Sequence, residues 1–167
     1  MENWKDFATL VTEHQSMVFS VALHFLRDRM AAEELAQDVF LQLHDALPGL
    51  ETPDHVRFWL RRVTGHRCID YIRRHKHDPL PLEDVAEPSS PPQDFGDPML
   101  RRRLQQVVAS LPEKQRIVVI LRFQEEMDVE EIARVLAMPL ATVKSRLHRS
   151  LAVLREKLER VTGMSCV

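Results

Sequence analysis

The amino-acid sequence predicts an all-α protein made of two small helical domains joined by an acidic, proline-rich linker. Apolar residues recur three and four positions apart on both sides of that linker, which is the spacing of amphipathic helices. Only 4 glycines and one tyrosine are present in 167 residues, which leaves little material for turn-rich β structure. Residues 78–98 contain six acids, six of the ten prolines and no lysine or arginine. We therefore predict a first domain over residues 1–77, a linker over 78–98 and a second domain over 99–164.

The N-terminal sequence, the lack of a long apolar run and the cysteine content indicate the cellular compartment of the protein. The opening stretch MENWKDFATL carries acids and aromatic residues where a secretory signal needs a basic start followed by an apolar core. No apolar run approaches the roughly 18 residues of a membrane span, so we expect a cytoplasmic protein. The two cysteines, Cys68 and Cys166, are far apart in the chain, and in that compartment we expect both as free thiols.

The first domain is predicted to begin with two amphipathic helices. Apolar spacing from Phe7 to Phe25 predicts the first one. The stretch AAEELAQDVFLQLHDAL predicts the second, because its residues divide into two faces at helical spacing. One face is an apolar stripe of Leu35, Val39, Leu43 and Leu47 with Phe40 beside it, and the other consists of Glu34, Gln37, Asp38, Leu41 and Asp45. The second helix is therefore predicted to expose an acidic face to solvent, with Leu41 in the middle of that face.

A strongly basic third helix is predicted from about His55 to His77, after the helix-ending loop PGLETPDH. It contains seven lysines or arginines against one acid, Asp70. Its candidate binding residues are Trp59, Arg62, His66, Arg73, Arg74 and Lys76. Cations that follow a phosphate backbone, beside an aromatic ring that stacks on bases, are what single-stranded DNA requires. Core packing is the alternative role for at least one of Phe58 and Trp59.

Two capping-box patterns predict helix starts in the second domain. Ser110 with Glu113 predicts a helix that runs through IVVILRF. Asp128 with Glu131 predicts a short helix from about Val129, with Ile132, Ala133 and Leu136 turned inward. After the break AMPL, an unbroken apolar stripe predicts a long helix; its members are Leu140, Val143, Leu147, Leu151, Leu154 and Leu158. A short helix, a break of about four residues and a second helix with a basic exposed face form a helix-turn-helix.

The exposed face of that last helix is the predicted reader of duplex DNA. Residues 140–160 contain six lysines or arginines against two acids, although the whole chain has a net charge of −2. Lys144, Ser145, His148 and Arg149 lie at adjoining positions that can reach base edges, while Thr142 and Arg146 suit phosphates. A solvated amphipathic helix with ordinary salt bridges is the alternative that this stretch leaves open when it is taken alone.

The sequence from Leu111 to Leu158 resembles the promoter-reading domain of bacterial RNA polymerase sigma factors of the small extracytoplasmic-function (ECF) class. The strings that carry the resemblance are the opening LP, the EEIA of the first motif helix and the TVKSRLHR of the recognition helix. In the first half, AEELAQDVFLQL resembles the family's core-polymerase-binding helix and FWLRRVTGHRCIDYIRRHK its promoter-melting helix. Two positions differ, since the family usually has asparagine at His66 and glycine at Ala141.

The resemblance implies an ECF sigma factor that binds core RNA polymerase and reads promoter DNA both as duplex and as opened single strand. It implies that Glu34, Gln37, Asp38 and Leu41 dock on the clamp helices of the polymerase, for which a merely solvated acidic face is the alternative. It also implies that the loop from Gly49 to His55 captures a base flipped from the opened promoter. The linker would run toward the RNA exit path, and an anti-sigma factor would restrain the protein.

Other chemistries are poorly supported by the sequence. His66, Cys68, His75 and His77 invite a zinc site, but residues two apart on a helix point to different sides, so we expect no metal. The sequence has no glycine-rich phosphate loop and no nucleophile with a recognisable base. We therefore expect neither an enzyme nor a cofactor nor a small-molecule substrate.

Two rival functions compete with that of a sigma factor. A plain helix-turn-helix regulator would bind duplex DNA without polymerase, but the docking-like second helix counts against it. A sigma mimic would sequester an anti-sigma factor without touching DNA. The intact DNA-facing residues Lys144, Ser145, Arg146 and Arg149 count against the mimic.

Overall fold

The computed structural model describes residues 4–76 and 97–163. These ranges form seven α-helices and one turn of 3-10 helix at Leu47–Gly49, and they contain no strand. The helices are α1 (Phe7–Leu26), α2 (Arg29–Ala46), α3 (Pro53–Arg74), α4 (Pro98–Ala109), α5 (Glu113–Phe123), α6 (Val129–Leu136) and α7 (Leu140–Thr162). The predicted all-α class is confirmed. None of these helices combines the length and the apolar character that crossing a membrane requires.

Side-chain caps fix the starts of the first three helices. Asp6, Asp28 and Thr52 each accept a hydrogen bond from the backbone N–H three residues further on. Because Thr52 is the cap and Pro53 suits the first helical position, α3 begins two residues earlier than the sequence predicts. The helix ends at Arg74, and the predicted end at residue 77 lies outside the described residues.

The predicted capping box at Ser110 is wrong. Ser110 lies at the C-terminal end of α4, a helix that the sequence analysis did not predict. Its backbone is still helical, with φ −80° and ψ −10°, so its hydroxyl donates back to the Val107 carbonyl at 2.6 Å. Pro112 occupies the N-cap position of α5, and no side chain caps that helix. Helix α4 starts at Pro98, the last residue of the predicted linker, and residues 78–96 of that linker lie outside the described residues.

The apolar stripe predicts the long helix α7 correctly, but its members are not all buried. Val143 and Leu154 are buried, but Leu151 is 42% exposed. At about 100° per residue, Leu154 returns to within about 20° of Val143, whereas Leu151 points about 80° away. Ser150 takes the inward position instead: it is fully buried, and its hydroxyl donates to the Arg146 carbonyl at 2.7 Å.

The two halves of the chain pack against each other through a shared apolar core, and a smaller apolar cluster lies within the second half. Helices α1 and α3 contact α5, and α3 also contacts α6. At the crossing of α1 and α5, the buried Arg116 donates from Nη1 to the Phe25 carbonyl at 2.8 Å and from Nη2 to the Leu111 carbonyl at 2.9 Å. Burial lowers the pKa of this guanidinium. Cys68 is a free thiol, as predicted, and it is fully buried. Burial raises its pKa. Cys166 lies outside the described residues.

Candidate functional site

Local hydrogen bonds and one left-handed residue build the helix-turn-helix of α6 and α7. The Asp128 carboxylate accepts from the backbone N–H of Glu131 at 2.7 Å, and the Glu131 carboxylate accepts from the backbone N–H of Asp128 at 3.0 Å. This capping box confirms the predicted start of α6. Ala137 ends α6 with φ +51°, and α7 starts three residues later, after Pro139. Ile132 and Leu136 are buried as predicted, while Ala133 is half-buried.

The start of α7 carries the predicted duplex-reading residues on an open surface. Lys144, Ser145, His148 and Arg149 are all exposed, so the structure brings together the four side chains predicted to reach base edges. Thr142 and Arg146, the two predicted phosphate contacts, are half-buried. The Arg146 guanidinium lies 3.1 Å from the Met138 sulfur, a weak acceptor that a phosphate oxygen can replace.

Helix α3 presents a second basic surface. Arg62, Arg73, Arg74 and Lys76 are exposed, and His66 is half-buried. Phe58 and Trp59 are both half-buried and pack against the main core, so part of each ring serves the fold. Among the predicted binding residues of α3, Trp59 supplies the aromatic ring, and the exposed part of that ring is available to stack on a base.

The loop that precedes α3 leaves open space where the resemblance places a flipped base. A Cβ added at Gly49 would meet no atom within 4 Å. From Glu51 to His55 every residue is exposed, and the Thr52 hydroxyl accepts from the His55 backbone N–H at 3.1 Å. This bond fixes the junction between the loop and the basic helix.

The acidic face of α2 lies beside an apolar groove that the sequence analysis did not identify. Glu34, Gln37 and Asp38 are exposed as predicted, and Leu41 is 66% exposed. The groove runs between α1 and α2, has a volume of about 810 Å³, and is lined in part by Phe7, Val11, Phe19, Phe40 and Leu41. The signal that could have revealed it is the spacing of Phe7 and Val11, which puts them on one edge of α1.

A smaller polar cleft connects the acidic face to the basic helix. It lies between α2 and α3, has a volume of about 170 Å³, and includes Glu34, Asp38, Arg67 and Arg74 in its lining. The sequence analysis assigned Arg67 no role, because the cleft depends on how α2 packs on α3. Opposite charges from the two helices thus meet where the two predicted surfaces adjoin.

Other titratable groups in the described residues do not gather into a metal site. Within residues 4–76 and 97–163, no three or more His, Cys, Asp or Glu side chains come together in a way that could hold a metal ion. The His75 ring stacks on Tyr71 with 4.0 Å between ring centroids. His77 lies outside the described residues.

Two family models match the chain. Residues 10–78 match the model described as Sigma-70 region 2, and residues 101–154 match the model described as Sigma-70, region 4. The first match contains α2 and α3 with the acidic face and the basic helix. The second contains the whole of α6 and the exposed basic start of α7.

Curated relatives carry the same kind of name. The chain is 34% identical over 154 residues to the RNA polymerase sigma-E factor of Streptomyces coelicolor, covering 92% of this chain and 86% of that protein. It is 27% identical over 165 residues to the ECF RNA polymerase sigma factor SigW of Bacillus subtilis, covering 91% and 88%. It is 31% identical over 160 residues to the Probable RNA polymerase sigma factor RfaY of Xanthomonas campestris pv. campestris, covering 91% of this chain and 40% of that protein. The chain thus spans less than half of the last relative's length.

Two solved structures share the fold. The sigma factor RpoE, solved in complex with the anti-sigma factor NepR from Bartonella quintana, aligns with a TM-score of 0.73 at 21% identity, covering 93% of this chain and 98% of that one. CnrH, solved in complex with the cytosolic domain of CnrY, aligns with a TM-score of 0.69 at 23% identity, covering 95% and 91%. Both alignments cover the two halves of the present chain together.

Proposed function

This chain belongs to the ECF class of RNA polymerase sigma factors, and from that premise we propose that it binds core RNA polymerase and directs promoter-specific initiation of transcription. The observation that carries the proposal is the exposed group Lys144, Ser145, His148 and Arg149 at the start of α7. A capped α6 and a tight turn present this group as a helix-turn-helix presents its recognition residues. We assign it to the duplex upstream element, with Thr142 and Arg146 on phosphates.

The basic surface of α3 is assigned to the downstream element and to promoter melting. Its members are Trp59, Arg62, His66, Arg73, Arg74 and Lys76. Exposed cations along one helix fit a phosphate backbone, and the half-buried Trp59 offers a stacking surface to an unpaired base. The loop of residues 49–55 adjoins this surface and is exposed from Glu51 to His55, so we assign the extruded base to it.

The acidic face of α2 is assigned to the polymerase. Glu34, Gln37 and Asp38 surround Leu41, whose side chain is an exposed apolar contact at the edge of the α1–α2 groove. An exposed apolar patch with a polar rim is typical of a protein-binding surface. Leu41 would fill an apolar site on the partner, and the acids would set the orientation through their charge.

We assign the proposed roles to segments of the chain according to the two family matches. We propose that residues 1–77 bind polymerase and open the promoter, that residues 78–98 connect, and that residues 99–164 read the upstream element. The protein would act in the cytoplasm as an initiation factor without catalysing a reaction. Since the RpoE structure includes an anti-sigma factor, we propose that a partner of that kind restrains this chain as well.

Run-off transcription with bacterial core polymerase and fragmented genomic DNA tests the proposal. Wild-type protein should produce new start sites that share two spaced upstream motifs. A Lys144→Ala/Arg149→Ala variant should lose upstream-element binding, since each good base contact contributes about 1–3 kcal/mol. It should keep its affinity for the polymerase. Arg155→Ala, an exposed change on the same helix outside the reading face, is the matched control.

A second variant separates the two assigned surfaces. Leu41→Asp should abolish binding to core polymerase and leave binding of duplex promoter fragments unchanged. Polymerase binding without any start site would favour the mimic, and DNA binding without polymerase binding would favour the plain regulator. Failure of the wild-type protein to bind either partner would refute the proposal.

A further inference from the structure

A methionine in the turn of the helix-turn-helix contacts an arginine of the helix that follows. The Arg146 guanidinium donates from Nη1 to the Met138 sulfur at 3.1 Å. Arg146 is one of the two side chains that we assign to phosphates of the duplex. The contact therefore joins the turn of the motif to a proposed phosphate-binding group.

Backbone hydrogen bonds fix Met138 at this position. Its N–H donates to the Ala133 carbonyl at 3.0 Å, and the Ala137 N–H donates to the Arg134 carbonyl at 3.3 Å. With Ala137 in the left-handed region at φ +51°, these two bonds form the Schellman motif that ends many helices. The Met138 side chain is half-buried and packs against the main core. Its sulfur is therefore attached to a fixed part of the turn.

The part of α7 that carries Arg146 is fixed as well. Ser150 is fully buried, and its hydroxyl donates to the Arg146 carbonyl at 2.7 Å. Long side chains in a helix point back toward its N-terminus, which directs Arg146 toward the turn that contains Met138. The contact with the sulfur restricts this long, flexible side chain before DNA arrives. Such restriction lowers the entropic cost of binding.

A thioether sulfur suits this role because it is only a weak acceptor. A phosphate oxygen is anionic, and its hydrogen bonds with a guanidinium are about twice as strong as those between neutral groups. Arg146 can therefore be oriented by Met138 in the free protein and still leave it for a phosphate. A stronger acceptor at the same place would compete with the phosphate.

We propose that Met138 is a positioning residue for Arg146 and that oxidation of its sulfur to the sulfoxide by hydrogen peroxide weakens duplex binding. In this step the sulfur attacks one peroxide oxygen, the O–O bond breaks, an S–O bond forms, and the other oxygen leaves as water. The sulfur loses two electrons, and the peroxide gains them. The sulfoxide is polar, and its oxygen is a strong acceptor within reach of the same guanidinium, so it holds Arg146 at the turn. The inference rests on the proposed function and concerns its regulation.

Two substitutions remove or strengthen the acceptor. Met138→Leu keeps the apolar bulk without an acceptor, and Met138→Gln supplies a carbonyl oxygen in place of the sulfoxide oxygen. Each is made both with Arg146 and with Arg146→Ala, which separates an effect through Arg146 from general damage to the turn. Met30→Leu is the matched control, because Met30 is 81% exposed and oxidisable but lies on α2. All proteins carry Cys166→Ser, so that peroxide does not react at that thiol.

The readout is the salt dependence of duplex binding by the full-length protein, with a mixed-sequence duplex of about 30 base pairs as the probe. Each phosphate contact contributes about 0.9 to the slope of log affinity against log salt concentration. Met138→Gln should lower the magnitude of that slope by about 0.9 and weaken binding about fivefold at about 0.15 M salt. Met138→Leu should keep the wild-type slope.

Hydrogen peroxide should reproduce the effect of Met138→Gln in wild type and in Met30→Leu, but not in Met138→Leu. Peptide mass spectrometry measures the fraction of sulfoxide at Met138, and the loss of affinity should follow that fraction. A methionine sulfoxide reductase should restore the original slope. A Met138 side chain that stays reduced while Met30 is oxidised would overturn the proposal.

The Arg146→Ala background distinguishes competition from disruption. There, Met138→Gln and peroxide should change neither the slope nor the affinity, because the guanidinium that they act on is gone. A further loss of affinity in that background would show that the turn itself is damaged and would overturn the proposal. An unchanged slope for Met138→Gln with Arg146 present would do the same.

Urea unfolding of the free protein tests the contact without DNA. Arg146→Ala should lower the unfolding midpoint more when combined with Met138→Gln than when combined with Met138→Leu, because only the amide oxygen offers the guanidinium a strong acceptor. Equal losses would count against the proposal as well. If wild-type protein binds no duplex, the proposed function fails, while this comparison still decides whether the side chain at position 138 holds Arg146.

Discussion

Replacing Arg116 by methionine tests how strongly a single buried side chain holds the two halves. The guanidinium makes two hydrogen bonds, at 2.8 Å to the Phe25 carbonyl and at 2.9 Å to the Leu111 carbonyl, and lies 5.0 Å from the centroid of the Phe25 ring. The residue is 6% exposed, so water cannot replace these donors. Methionine has a similar length and no donor, and Arg116→Met therefore leaves two buried carbonyls without these bonds.

The expected loss in the free energy of unfolding is about 2–4 kcal/mol. Each buried acceptor deprived of its partner costs about 1–3 kcal/mol. Relief of the buried charge offsets part of that loss, and the lowered pKa of Arg116 shows that burial does disfavour the charged form.

Urea unfolding followed by circular dichroism measures the loss. Arg160→Met is the control, since the Arg160 side chain is 73% exposed and pairs with Glu156 of the same helix, and it should change stability by less than about 0.5 kcal/mol. A loss below about 1 kcal/mol for Arg116→Met would refute the reasoning, because it would mean that burying the guanidinium costs as much as its two bonds contribute.

Three further predictions address other parts of the chain. Asp128→Ala removes the capping box with Glu131 and should lower stability by about 1 kcal/mol in urea unfolding, with Asp128→Asn keeping most of it; equal losses in both would contradict the cap. His14 is buried, and its pKa is lowered by burial and by the nearby cations Arg57 and Arg61, despite the opposing charge of Glu13. Its stabilising contribution should therefore be complete above pH 6.5 and decline as the pH falls through the lowered pKa. His14→Leu should flatten that part of the profile of unfolding free energy against pH, and a profile parallel to that of wild type would exclude this role. Gly65→Leu should lower the free energy of unfolding by about 1–3 kcal/mol, because the added side chain overpacks against Leu136 and Ile117, whereas an unchanged stability in urea unfolding would contradict the close approach.

The features that the sequence predicted well depend on short-range physics. The capping box at Asp128, the face of α7 and the acidic face of α2 follow from hydrogen bonds and periodicities that span a few residues. The wrong start at Ser110 has the same local origin, since a serine three residues before a glutamate also occurs at the end of a helix. There the backbone was still helical, and the hydroxyl bonded backward to Val107.

The features that escaped prediction depend on how distant segments pack. Helix α4 is an exception, because Leu100, Leu104 and Val107 do recur at helical spacing; it begins at Pro98, inside the stretch that its prolines assigned to the linker. The groove beside Leu41 requires α1 to lie against α2, and the cleft at Arg67 requires α2 to lie against α3. The groove and the cleft each depend on the packing of two helices, so the periodicity of a single helix cannot predict them.

The contact between the halves escaped prediction for a more specific reason. Apolar periodicity identifies faces that stay buried, but Arg61 and Glu125 are charged residues that water would solvate well if the halves were apart. Glycine is intrinsically unfavourable inside a helix, and at Gly65 it leaves room for Leu136, whose Cδ2 atom lies 3.2 Å from the position that a Cβ would take. The polar part of the interface therefore has no distinct signature in a single sequence.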